Sequence, residues 1–128
     1  MATIVFADIV GFTKIASRLT PEEVVTFLNN FFVSIDNMVE ERGLEKIKTI
    51  GDCYMAASGI PISTANHAEL AAEFALDLLE SVKDFTLGGL PIQVRVGIHS
   101  GPVVAGVIGK SKLTYDVKDV ARFTLIRS

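Results

Sequence analysis

The sequence predicts an α+β fold, a mostly antiparallel sheet with helices packed on one face. Three observations predict it. Short apolar runs rich in β-branched residues alternate with two long stretches of helical periodicity, so strands and helices are interleaved along the chain. Glycine-centred turns join neighbouring strand-like runs, which favours antiparallel hairpins. At 128 residues, 49% hydrophobic and 21% charged, the chain has the size and composition of one soluble globular domain, or part of one, with its own core.

Residues 2 to 7, ATIVFA, have the content of a buried strand that ends at Asp8. A turn through Ile9, Val10 and Gly11 leads to a helical stretch. The next helix opens with a capping box, in which Thr20 is the N-cap, Pro21 the first helical residue and Glu23 the third. Its apolar positions, Val24, Leu28, Phe31, Phe32, Ile35, Met38 and Val39, repeat at helical spacing until Gly43 ends it. Residues 44 to 50 and 53 to 58 read as a hairpin around Gly51-Asp52, where glycine supplies the positive φ of a II′ turn. A second amphipathic helix is expected from near Thr64, with Leu70, Ala71, Phe74, Leu78, Leu79 and Val82 on its buried face, and Gly88-Gly89 breaks it. Residues 91 to 98, PIQVRVGI, alternate as a half-buried strand, and HSGPVVAGVIG is expected to turn at Ser100-Gly101 into a partner strand ending near Gly109. There are no repeats and no low-complexity linker.

Strand, helices, hairpin, helix and hairpin, in that order, suggest a ferredoxin-like arrangement. A right-handed crossover then makes the first two strands parallel, and the third returns between them. The end of the first strand and the turn between the second and third lie at the same edge, which places Asp8 beside Asp52. Two carboxylates at the ends of adjacent strands make a hard-oxygen site suited to Mg²⁺ or Mn²⁺ rather than zinc. A pair of such ions against phosphates is a recurrent way to activate a hydroxyl nucleophile. The loop IVGFT, with Gly11 just before a helix, is suited to presenting N–H groups to a triphosphate. The same aspartates also read as ordinary turn residues, and spacing alone leaves both readings open.

Composition narrows the partners. A formal net charge of −3 gives no electrostatic reason to expect a nucleic acid. The single cysteine, Cys53, rules out an intrachain disulfide and a cysteine-based zinc site. No apolar run approaches the ~18 residues of a membrane span and no signal peptide is visible, so the segment reads as cytoplasmic, without direct membrane contact, and compatible with a larger membrane-bound parent.

Three motifs carry a family resemblance. FADIVGFT at 6 to 13, EKIKTIGDCYMAASGIP at 45 to 61 and VRVGIHSGPVVAGVIGKSKLTYDV at 94 to 117 resemble, in order, the catalytic domain of the class III adenylate and guanylate cyclases. The resemblance implies the ferredoxin-like fold over residues 1–128 and a head-to-tail homodimer with active sites between subunits. It implies that Asp8 and Asp52, with Ile9, bind two Mg²⁺ or Mn²⁺ ions on the nucleotide. The ions lower the pKa of the ribose 3′-hydroxyl and neutralise charge as pyrophosphate leaves. Val10, Gly11, Phe12 and Thr13 match the phosphate-facing loop. Lys48 matches the purine-reading position, where a lysine donates to adenine N1 but would meet the N1–H of guanine as a second donor, so ATP is favoured. Asp116 matches an acceptor for the adenine amino group. In such a dimer Lys48 and Asp116 of one chain face Asp8 and Asp52 of the other.

After TYDV the family usually continues with Trp-Gly and an Asn-x-x-x-Arg helix, whereas here Asp116-Val117 runs into KDVARFTLIRS. Relative to the family, the domain is incomplete after residue 117: either the chain is shortened or an internal segment is absent. Under the second alternative FTLI resembles the closing strand and Lys118 matches a triphosphate-contacting lysine. The rival to an active adenylate cyclase is a catalytically inactive nucleotide-binding or dimerisation module. Plainer structural roles are expected elsewhere. Lys46 and Lys48 alternate on one strand face, His67 is a surface or capping residue, His99 supports the SGP turn, and Arg95 points to solvent or across a dimer face.

Overall fold

The computed structural model describes residues 1–60, 62 and 64–101, together with the strands 103–108, 112–117 and 123–127. The N-terminal apolar run forms β1 (Ala2–Ile9), which continues through Asp8. Gly11, at φ 69°, turns the chain into the short helix α1 (Phe12–Ala16). The predicted capping box then opens α2 (Pro21–Glu41): the Glu23 N–H donates to the Thr20 hydroxyl at 3.2 Å, and the Glu23 carboxylate accepts from the Thr20 N–H in return. The hairpin forms as expected from β2 (Glu45–Ile50) and β3 (Cys53–Ser58), with Gly51 at φ 57° in the turn.

Helix α3 (His67–Ser81) starts three residues later than its periodicity suggests, and no side chain caps it. Tertiary contacts fix its start. The Ser58 hydroxyl donates to the His67 carbonyl, and His67 Nδ1 lies 2.6 Å from the buried Thr3 hydroxyl. His67 is thus half-buried and bonded to the sheet, not the surface or capping residue expected from sequence.

After a 3₁₀ turn at Val82–Asp84, β4 (Thr86–Leu87) and β5 (Leu90–Pro91) form a short ribbon around Gly88-Gly89. The next strand, β6 (Val94–Gly101), therefore begins at 94 and not at 91. Residues 90 to 93 are held elsewhere, Pro91 opposite Thr86 and the Gln93 carbonyl accepting the Val10 N–H at 2.9 Å. The chain continues with β7 (Val103–Ile108), β8 (Lys112–Val117) and β9 (Phe123–Arg127).

The main sheet has the order β2-β3-β1-β6-β9. Antiparallel β1–β3 and β2–β3 pairing makes β1 and β2 parallel with β3 between them, the ferredoxin-like arrangement predicted. The expected second hairpin does not form. Both edges of β6 are occupied, by β1 and by β9, so β7 pairs instead with β8 in a separate two-stranded sheet.

Register assigns the faces of the sheet. Thr3, Val5, Ala7 and Ile9 of β1 stand opposite Ser58, Ala56 and Tyr54 of β3 and Ile98, Val96 and Val94 of β6. This face packs on the helices: Val5, Ala7, Ile9, Val94 and Val96 join Phe31 and Ile35 of α2 and Phe74, Ala75 and Leu78 of α3 in one core. Phe27 stacks on Phe31 at 5.7 Å between ring centroids, and Phe85 meets both edge-on. Fully burying an aromatic or leucine side chain contributes about 1.5–3 kcal/mol, so this cluster is what fixes the helices to the sheet. The second face carries Phe6 and Asp8 of β1, Cys53 and Met55 of β3, and Arg95 and Gly97 of β6. Among the described residues no helix is long and apolar enough to cross a membrane.

Candidate active site

Antiparallel pairing of Ala7 with Tyr54 brings the C-terminal end of β1 against the β2–β3 turn. The contact is direct, since the Ile9 N–H donates to Asp52 Oδ2 at 2.9 Å. Asp8, one residue earlier, projects from the second face, where its register partner Arg95 donates from Nε to Asp8 Oδ1 at 3.1 Å. Both aspartates border one cleft of about 360 Å³, shared with Ile9, Gly11, Phe12, Thr13, Lys14 and Arg95. The adjacency of Asp8 and Asp52 expected from topology is therefore present.

The loop residues divide. Gly11, Phe12 and Thr13 line the cleft, and the N–H groups of Phe12 and Thr13 precede the first bond of α1, from Ile15 N–H to the Gly11 carbonyl, so no helical partner satisfies them. Val10 does not line the cleft, and its N–H is committed to Gln93.

Lys48 lies outside this cleft. A bulge in β2 sets Lys46 opposite Ala56 but Lys48 opposite Met55, so the two lysines occupy opposite faces and not the single face expected from alternation. Lys46 turns to the helix side, 3.1 Å from Asp36 and 5.3 Å from the Tyr54 ring centroid. Lys48 is exposed on the second face, the face that carries Asp8, but two strands away, roughly 10 Å across the sheet. Asp116 lies in β8 opposite Val104, in the separate sheet. Lys118 falls outside the described residues. A single chain thus unites Asp8, Asp52 and the Gly11–Thr13 loop and leaves Lys48 outside the cleft, while the Asp116 side chain lies outside the described residues.

The turn that carries Asp52 is anchored from below. The Tyr54 hydroxyl donates to Asp36 Oδ1 of α2 at 2.6 Å, and burial, followed by the Asp36 hydrogen bond and charge, pushes its pKa well above the usual tyrosine value. Two cleft residues escaped the sequence reading. Arg95 alternates correctly on its strand, but its partner is fixed by the β1–β6 register, which local pattern does not contain. Lys14 sits in a five-residue helix with no periodicity to mark its face. His99 lies within β6, its Nε2 2.8 Å from the position a Cβ on Gly101 would take, and the SGP turn it was expected to support runs into residue 102, outside the described residues.

The donor set fits Mg²⁺ or Mn²⁺. Among the described residues no group of three or more His, Cys, Asp or Glu side chains could hold a metal ion, which excludes a protein-saturated zinc cage there. Two carboxylates beside a phosphate-sized cleft suit ions that keep waters and take phosphate oxygens as their other ligands. Asp8 Oδ2 and Asp52 Oδ1 accept no hydrogen bond among the described residues, so each aspartate retains an oxygen for such an ion.

Comparison with known proteins gives concordant matches. The family described as the adenylate and guanylate cyclase catalytic domain matches residues 1–120. An adenylate cyclase of Mycobacterium tuberculosis is 45% identical over 119 residues, 91% of this chain and 26% of that protein. The catalytic core of a rhodopsin-guanylyl cyclase with converted specificity, in complex with ATPαS, superposes with a TM-score of 0.83 at 40% identity, covering 92% of this chain and 65% of that one. A non-canonical dimeric guanylyl cyclase domain of the RhoGC fusion protein from the aquatic fungus Blastocladiella emersonii gives 0.81 at 37%, covering 90% and 65%. The chain spans about a quarter of the length of the mycobacterial enzyme, and adenylate and guanylate cyclases both stand among its relatives.

Proposed function

We propose that this chain, which belongs to the adenylate and guanylate cyclase catalytic domain family, converts ATP to 3′,5′-cyclic AMP and pyrophosphate in a head-to-tail homodimer. The observation that carries the reading is the convergence of Asp8 and Asp52 on one cleft, with Asp52 bonded to the backbone at Ile9. These carboxylates, with the Ile9 carbonyl, would hold two Mg²⁺ or Mn²⁺ ions. When bound, the ions supply a lowered pKa for the 3′-hydroxyl and charge neutralisation at the triphosphate. The N–H groups of Phe12 and Thr13, with Gly11 allowing close approach, orient the phosphates so that the 3′-oxygen faces the α-phosphorus. Val10 shapes this loop through its bond to Gln93 and does not offer its own N–H.

Base selection is assigned to the partner. Lys48 donates to adenine N1 and Asp116 accepts from the amino group. The exposure of Lys48 on the face that carries Asp8, away from its own cleft, supports a reading across two protomers. Lys118 is assigned a triphosphate contact. The domain is read as spanning residues 1–128 and as incomplete relative to the family after residue 117. The segment is read as cytoplasmic and without membrane contact, and the net charge of −3 offers a nucleic acid no attraction.

A second reading is favoured by one observation, that residues 118 to 128, KDVARFTLIRS, contain no Asn-x-x-x-Arg element. On it the chain is a nucleotide-binding or dimerisation module without turnover. Incubation of the purified chain with Mn-ATP, beside Asp52→Asn, separates the two. Cyclic AMP well above the Asp52→Asn background is expected, and equal product from both would leave only the module.

A further inference from the structure

We propose that Arg95 is a resident counter-cation of Asp8 that competes with a divalent ion for the charge of that carboxylate, and that it thereby limits how tightly the free chain binds metal. The inference rests on Asp8 being a metal ligand and adds a positioning residue to that site. The contact is built into the sheet: Asp8 and Arg95 are directly opposed on β1 and β6, so their side chains leave the same face close together. Arg95 Nε donates to Asp8 Oδ1 at 3.1 Å, and both residues line the cleft that holds Asp52.

The two carboxylates are therefore electrostatically unequal. Asp8 carries a full countercharge, whereas Asp52 accepts a neutral backbone N–H and has no salt bridge among the described residues. A guanidinium does not give up its proton, so it relieves repulsion from an arriving dication only by rotating away. Lys14, the other cation lining the cleft, adds to the positive charge but is not bonded to either aspartate among the described residues. The Asp8 and Arg95 side chains are 36% and 47% exposed, so solvent screening limits the effect to a few-fold.

The test is titration of Mn²⁺ alone into the purified chain, with free ion read by its electron paramagnetic resonance signal and folding by circular dichroism. Arg95→Gln is expected to bind Mn²⁺ about two- to fivefold more tightly, Arg95→Lys to fall between it and wild type, and Asp8→Asn to bind weakly whether or not Arg95 is replaced. Unchanged, weaker or undetectable binding by folded Arg95→Gln overturns the proposal; if that variant loses its native spectrum, Arg95→Met is read in its place. An Asp8→Asn chain that binds as well as wild type removes the metal assignment itself. A weak Asp8→Asn chain beside an unaltered Arg95→Gln chain removes only the role of Arg95.

Discussion

Tyr54 stands two residues from Asp52 and ties the hairpin to α2 through Asp36. Its hydroxyl holds its proton more firmly when folded than the value of about 10 for an unfolded tyrosine, because burial and the Asp36 carboxylate both disfavour the phenolate. The stabilisation is complete below pH ~10 and is lost as pH rises above it, since the unfolded chain then releases a proton that the folded chain retains. Tyr54→Phe should cost about 1 kcal/mol near neutrality and flatten the alkaline fall in stability, as read by urea unfolding between pH 8 and 11. Lys48→Glu should raise GTP use relative to ATP, measured as competing product formation, because a carboxylate accepts the N1–H that lysine opposes; an unchanged ratio would remove Lys48 from base selection. Asp8 and Asp52 were legible because one lies next to the end of β1 and the other in the β2–β3 turn, and the connectivity puts those two places together. Arg95 was not, because its partner lies 87 residues away and a one-residue slip would have turned it to the helices. The split between Lys46 and Lys48 was hidden for a related reason, since a bulge inverts the parity that alternation assumes.

Among the elements, α2 was readable to its first residue because its start signal is local. Thr20 accepts from the Glu23 N–H, Glu23 accepts from the Thr20 N–H, and Pro21 has no N–H to satisfy, all without help from the rest of the fold. Thr20→Ala should cost about 1 kcal/mol in urea unfolding with little change in the dependence on denaturant. Helix α3 shows the opposite case, since its start is set by Thr3 and Ser58, which are distant in sequence. The missing β6–β7 hairpin belongs with it. Ser100 and Gly101 supply good turn chemistry, but pairing with β1 and β9 takes both edges of β6 first. The FTLI run, which resembled the closing strand only on the alternative that an internal segment is absent, forms β9 beside β6.

For the whole molecule, the β2-β3-β1 part of the sheet order followed from the alternation of elements and the hand of the crossover, and the family from its three motifs. The assignment of each site to two protomers has its own test. Asp52→Asn and Lys48→Glu homodimers each spoil both sites, but a mixed dimer keeps one site built wholly from wild-type residues. Equal mixing should restore roughly a quarter of wild-type cyclic AMP formation, and no restoration would show that the sites are not shared. The central position of β1 has a consequence for how the chain is made. Both neighbours of β1, the earliest-made of the described strands, are distant in sequence, and one of them ends only at Gly101. Until β6 has been made, the Asp8 strand therefore has a partner for one edge only, and its other edge is open to other chains. The segment that carries Asp8, the first of the proposed metal ligands, thus depends on a strand made about 85 residues later and on protection from aggregation until β6 arrives.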